Sequence, residues 1–150
     1  RIIPQEKETD MGKINFGRVL LGGVLAAIVL NIGEYVLNEK IMGAQMKEMM
    51  SKHGFAEPSG KFMIMAVGVT FVLAIVMIWL YALIRPRLGA GVMTAIVAGC
   101  IMWFGVYLYN AGFFVMLFGI PLNSMLIACA WGLVEYCLAA IAGAWAYKEA

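Results

Sequence analysis

Apolar residues in this chain run in four long blocks, and the polar residues gather between them. The clearest block pair is the last: no Asp, Glu, Lys or Arg occurs between Arg87 and Glu135. A soluble domain of this size cannot hide that much apolar surface, whereas a bilayer asks for it. A spanning helix needs roughly 20 apolar residues, so this stretch holds two helices, folded back at Gly119-Ile120-Pro121-Leu122-Asn123. Two further spans lie upstream. The expected spans are about 15–38, 62–84, 90–114 and 123–147, with an outer loop over 39–61. The fold class that follows is all-α, an integral membrane four-helix bundle.

Composition points the same way. Hydrophobic residues make up 63% of the 150 and charged residues 13%, against about 25% charged in an ordinary soluble domain. Four spans consume nearly the whole length, so residues 14–150 read as a single transmembrane domain. Residues 1–13 read as a polar tail, in which Met11-Gly12-Lys13 resembles a natural start. The first span is too long for a signal peptide and lacks a small-x-small cleavage site. A net charge of +2 with scattered basic residues gives no reason to expect nucleic acid.

Lys and Arg counts on each side set the expected orientation. Arg1, Lys7, Lys13, Arg18, Arg85, Arg87 and Lys148 fall on one side; Lys40, Lys47, Lys52 and Lys61 fall on the other. Both termini are therefore expected in the cytoplasm, with the Arg85-Pro86-Arg87 turn deciding much of the balance, and the location expected is a bacterial cytoplasmic membrane. Trp79, Tyr81, Trp145 and Tyr147 sit near the proposed inner ends, where aromatic rings favour the headgroup layer.

Residues 23–29 of the first span match residues 91–97 of the third, and Gly33-Glu34-Tyr35-Val36-Leu37-Asn38 parallels Gly105-Val106-Tyr107-Leu108-Tyr109-Asn110. Two parallel hairpin repeats are one reading, and a chance likeness of apolar helices is the other. Small residues spaced by four (Gly22 with Ala26, Gly23 with Ala27, Gly91 with Ala95 and Gly99, Ala128 with Gly132, Ala139 with Gly143) predict close helix contacts.

Polar residues inside the spans are the candidate chemistry. Asn31, Glu34 and Asn38 form one stripe, with Glu34 roughly 6 Å below the outer surface at 1.5 Å per residue. The plain reading is a Glu that reaches the interface and pairs with Lys40 or another loop lysine. Glu135 lies near the bilayer midplane on the face of Ala128, Gly132 and Ala139, where charge costs on the order of 2.5–3.5 kcal/mol. Its charge can be met in three ways: as a neutral acid hydrogen-bonded to a neighbour, by a cation from another subunit, or by a proton pathway or cationic ligand. Counting along the helices puts Glu34 and Glu135 roughly 10 Å apart in depth, not in direct contact.

In the outer loop Met42, Met46, Met49, Met50 and His53 fall along one helical side. Such a stripe could hold copper(I), but an apolar face laid on the membrane, with Lys47 and Lys52 in water, is the expectation. Cys100, Cys129 and Cys137 all fall inside spans without C-x-x-C spacing, so neither a disulfide nor a structural zinc is expected. His53 is the sole histidine, which excludes a bis-histidine haem and a Ser-His-Asp triad assembled inside the spans. No phosphate-loop or dinucleotide motif occurs, and neither a cofactor nor catalysis by the chain alone is expected.

The spacing of Asn31 and Glu34, the run Trp-x-Tyr-x-x-Ile-Arg-Pro-x-x-Gly at 79–89, and Gly143-Ala144-Trp145-Ala146-Tyr147 resemble a group of small bacterial four-helix membrane proteins. The resemblance covers the chain from Met11 onward and implies origin and fold without an activity. An intramembrane Glu in a four-helix chain is also similar to the small multidrug resistance transporters; here the first-span Glu sits near its helix end and the outer loop is long. The function expected first is a non-catalytic accessory subunit, packing against a larger membrane complex or against itself. The competing expectation is a small proton-coupled transporter of a cationic or small organic substrate using Glu135. The orientation makes its own prediction: reporter fusions at Lys148 and in the Arg85–Gly89 segment read as cytoplasmic, and a fusion near Lys52 as exterior. An exterior signal at Lys148 would overturn it.

Overall fold

The computed structural model describes residues 13–149. The tail expected over 1–13 lies outside them except for Lys13, as do Arg1 and Lys7. Five helices account for the fold: α1 Phe16–Ile41, α2 Gly43–Lys52, α3 Gly60–Leu88, α4 Val92–Phe118 and α5 Leu122–Ala146. All but α2 are long and apolar enough to cross a membrane, and the protein is a multi-pass helical membrane protein.

Local chemistry sets the ends. Asn15 opens α1 by accepting the backbone N–H of Arg18 at 3.1 Å, and Ser59 opens α3 by accepting that of Phe62 at 3.3 Å. Gly89 ends α3 at φ +85°, and Gly119 ends α4 in the left-handed region at φ +61°, conformations that a side chain would strain. Pro121 then starts α5, so the chain folds back where the Gly-x-Pro run predicts.

Several boundaries differ from the sequence expectation. Arg85-Pro86-Arg87 is not a turn: the helix continues through it to Leu88. Pro86 stands so near the helix end that its missing N–H removes a single ladder bond. The turn is instead Gly89–Gly91, whose Gly89 carbonyl accepts the Thr94 hydroxyl at 2.7 Å. α4 runs to Phe118, not to about 114, and ends where Gly119 takes the left-handed conformation. The outer loop is largely helical, since α2 fills its centre. Tyr81 and Tyr147, expected at the headgroups, are buried instead, their rings edge to face at 5.8 Å. Arg85 stands 5.5 Å over the Tyr147 ring and pairs in charge, at 3.2 Å, with Glu149.

Two spanning helices carry a π turn, Val36–Ile41 in α1 and Phe104–Leu108 in α4. In each an asparagine side chain takes the carbonyl four residues back: Asn38 bonds Glu34 O at 2.8 Å and Asn110 bonds Val106 O at 3.1 Å. An amide inserted into the i→i−4 ladder leaves backbone N–H groups to reach one residue further back, as Met42 N does to Leu37 O at 2.8 Å. The two asparagines occupy matching positions of the two segments that parallel each other in sequence.

α1 packs against α3 and α5, and α4 packs against α5 and, less extensively, against α3. Glycine sets the distances. A Cβ on Gly22 would lie 2.5 Å from Gly143 O, and one on Gly143 would lie 2.7 Å from Gly22 O. A Cβ on Gly23 would reach Ile75 Cα at 2.8 Å, and one on Gly99 would reach Tyr136 O at 2.8 Å. Around these crossings Ala26, Ala27, Ala74, Ala98, Ala139 and Ala140 are buried. Gly91, grouped with this set by spacing, is exposed and opens α4 instead.

Burial is uneven along the bundle. No described residue of α3 before Ala74 is buried, nor any of α4 after Gly99. The end carrying the termini is therefore closely packed, while α3 and α4 stand clear of the core toward the other end. Gly143→Leu is expected to lower thermal stability in detergent by about 1–3 kcal/mol, the usual cost of overpacking. Gly112→Leu, where a Cβ meets nothing within 4 Å, should stay within about 0.5 kcal/mol of the parent. Melting curves followed by helical circular dichroism compare the two; equal losses would contradict the packing described.

Candidate functional site

The polar residues of the spans meet at the junction between the packed and the open parts. α1 brings Gly33, Glu34 and Asn38; α4 brings Tyr107 from inside its π turn; α5 brings Trp131, Glu135 and Tyr136. The Tyr107 hydroxyl donates to Glu34 Oε1 at 2.7 Å, and Asn38 Nδ2 donates to Glu34 Oε2 at 3.0 Å. Both oxygens of Glu34 are thus engaged. This replaces the expected pairing with Lys40, whose ammonium stands 6.0 Å from the Tyr35 ring centroid instead.

Glu135 differs in every respect. It is 4% exposed, and neither carboxylate oxygen has a hydrogen-bond partner among the described residues. Its side chain lies against the bare backbone of Gly33: a Cβ there would meet Glu135 Cδ, and would stand 2.6 Å from Oε2. Trp131, one turn earlier on α5, donates its indole N–H to Gly33 O at 3.2 Å and ties the two helices at this level. The Tyr107 ring fits over Gly132, where a Cβ would come within 2.8 Å, and meets Tyr136 edge to face at 5.9 Å.

Glu135 therefore lies level with Gly33, the residue next to Glu34, and the roughly 10 Å separation in depth does not hold. The reason is local. α1 continues through its π turn to Ile41, so Glu34 lies deeper in its helix than a span ending near Asn38 implies. No hydrogen bond joins the two carboxylates directly. Among the described residues the ion pairs are Lys52–Glu48 and Arg85–Glu149, so no described cation is paired with either of them. Asn31 stays apart, its amide donating to Ala27 O at 2.8 Å on its own helix.

Met42, Met46, Met49 and His53 do converge. Together with the Gly119–Pro121 turn they line a cavity of about 120 Å³. The stripe thus faces the tip of the α4–α5 hairpin and not the membrane surface, while Lys47 and Lys52 are exposed. The His53 Nε2–H donates to Phe118 O at 3.0 Å, which fastens α2 over the end of α4. Among the described residues no three His, Cys, Asp or Glu side chains gather as a metal set.

Sequence reasoning missed Tyr107, Trp131 and Tyr136. Tyr107 and Asn110 are three apart, a spacing that places two polar side chains on one helical face, and that was the available signal. No family model, curated protein or solved structure matches the chain.

Two substitutions probe this geometry through stability. Tyr107→Phe removes a bond between helices and should cost about 0.6 to 2 kcal/mol. Glu135→Leu should leave the bundle equally stable, or more stable by about 1–3 kcal/mol, because it relieves a buried polar group with no partner. A Glu135→Leu protein that unfolds more readily than the parent would show that Glu135 makes a stabilising bond.

Proposed function

We propose that this chain is a small proton-coupled transporter of the bacterial cytoplasmic membrane, with both termini inside, and that Glu135 is its coupling carboxylate. The observation that carries this is the enclosure of Glu135 by the chain's own helices, with both oxygens unpartnered among the described residues. A subunit docking from outside meets lipid-facing side chains, not this group. That enclosure favours the transporter over an accessory subunit that would meet Glu135 with a cation of its own. An unpaired acid in hydrocarbon holds its proton until a cation or a polar path reaches it.

Polar side chains lead from the open end toward this group. Asn38 is exposed at the open end, Glu34 is half-buried beneath it, and Glu135 follows beside Gly33. From there toward the termini the way is shut by the Gly22–Gly143 crossing and the alanines around it. Open on one side and sealed on the other is the arrangement an alternating-access carrier holds in one of its states. Tyr107, Tyr136 and Trp131 near two carboxylates suit a small organic cation, since ring faces attract positive charge within about 6 Å.

Proteoliposomes test this with tetraphenylphosphonium and an imposed pH gradient. The parent should accumulate the cation, and Glu135→Gln, which keeps the shape but cannot titrate, should lose uptake by tenfold or more while retaining its helical signal. Unchanged uptake by Glu135→Gln, or a parent that moves no cation under any gradient, would sink the proposal.

A further inference from the structure

Away from the carboxylates, two thiols meet across the seam between α4 and α5. Cys100 Sγ and Cys137 Sγ are 3.9 Å apart, both as free thiols. The contact follows from the backbone. Gly99, beside Cys100, lets α4 approach so closely that a Cβ there would lie 2.8 Å from the carbonyl of Tyr136, beside Cys137. A helix pair brought this near at one residue carries its neighbours near as well, and a disulfide needs Cα atoms within about 4.4–6.8 Å. A disulfide would bring the two Sγ atoms from 3.9 Å to about 2.05 Å. C-x-x-C spacing, whose absence argued against any disulfide, describes pairs within one segment and is silent on a pair made by two helices.

We propose that Cys100 and Cys137 are a redox-active dithiol, closed to a disulfide by a lipid-soluble quinone. Their position selects the oxidant. Each lies about 12–14 Å along its helix from the end bearing the termini, at 1.5 Å per residue, inside the apolar layer. Both are partly exposed on the flank of the bundle, where hydrocarbon and not water surrounds them. A two-electron acceptor dissolved in the bilayer reaches them. The step balances: two S–H bonds break, one S–S bond forms, and two protons with two electrons convert the quinone to its hydroquinone. The bond would tie α4 to α5 one residue from Tyr136, whose ring meets Tyr107 in the carboxylate cluster. Cys129 is buried on α5 with no thiol beside it, and serves as an internal control.

The test uses the whole protein in liposomes, treated with decylubiquinone, whose fully substituted ring resists thiol addition. After acid quenching, denaturation and alkylation, mass spectrometry should show two of three thiols lost, a Cys100–Cys137 linked peptide, and recovery with dithiothreitol. One hydroquinone should appear per linked chain. Cys100→Ser, a near-isosteric change, should keep both remaining thiols free under the same treatment. Three thiols still alkylated after quinone exposure would overturn the proposal, as would a link through Cys129 or between two chains. Closure by diamide without closure by the quinone would overturn the quinone assignment.

Discussion

Close backbone contact between helices is the interaction everything else here rests on. Between helices in lipid there is no water to expel, so attraction comes from packing, and packing gains most where backbones touch. Gly22 and Gly143 provide that contact between α1 and α5, Gly23 between α1 and α3, and Gly99 between α4 and α5. Each of them is a place where a methyl group has no room. The polar cluster and the thiol pair are consequences of those crossings. Glu135 fits because Gly33 has no side chain, and Cys100 meets Cys137 because Gly99 lets the helices close.

Within that frame Glu34 and Glu135 show two ways of keeping a carboxylate among apolar helices. Glu34 has a donor on each oxygen, from Tyr107 and Asn38, so its interactions offset part of its desolvation. Glu135 has none among the described residues, so at rest it is a net cost to the fold.

The fold class was legible because it depends on long-range composition: helices long enough to span must be apolar nearly throughout, and the missing charges between Arg87 and Glu135 say so directly. The fold-back at Gly119–Pro121 was legible because Gly and Pro act locally. Pro86 misled for the same reason, since its effect depends on how much helix follows it, and only two further residues do. The depth of Glu34 was misjudged because the π turn at Val36–Ile41 arises from a side-chain bond by Asn38 that spacing rules do not count. The partner that Tyr107 meets and the thiol pair were out of reach for a further reason. They are contacts between helices, and an apolar helix shows little in its sequence of which face its neighbours take.

The uneven packing links these observations to movement. The core lies toward the termini, while α3 before Ala74 and α4 after Gly99 bury nothing among the described residues. Tyr107 belongs to the loosely held part of α4 yet donates to Glu34 on α1, so motion of that segment changes the hydrogen bonding of a carboxylate. Its π turn supplies a place to bend, because a ladder already shifted by one residue has bonds that rearrange at low cost. Opening at that turn would draw Tyr107 from Glu34 and uncover Gly132, the surface its ring now closes. One phenol thereby joins the half of α4 beyond Gly99 to the Glu34 carboxylate.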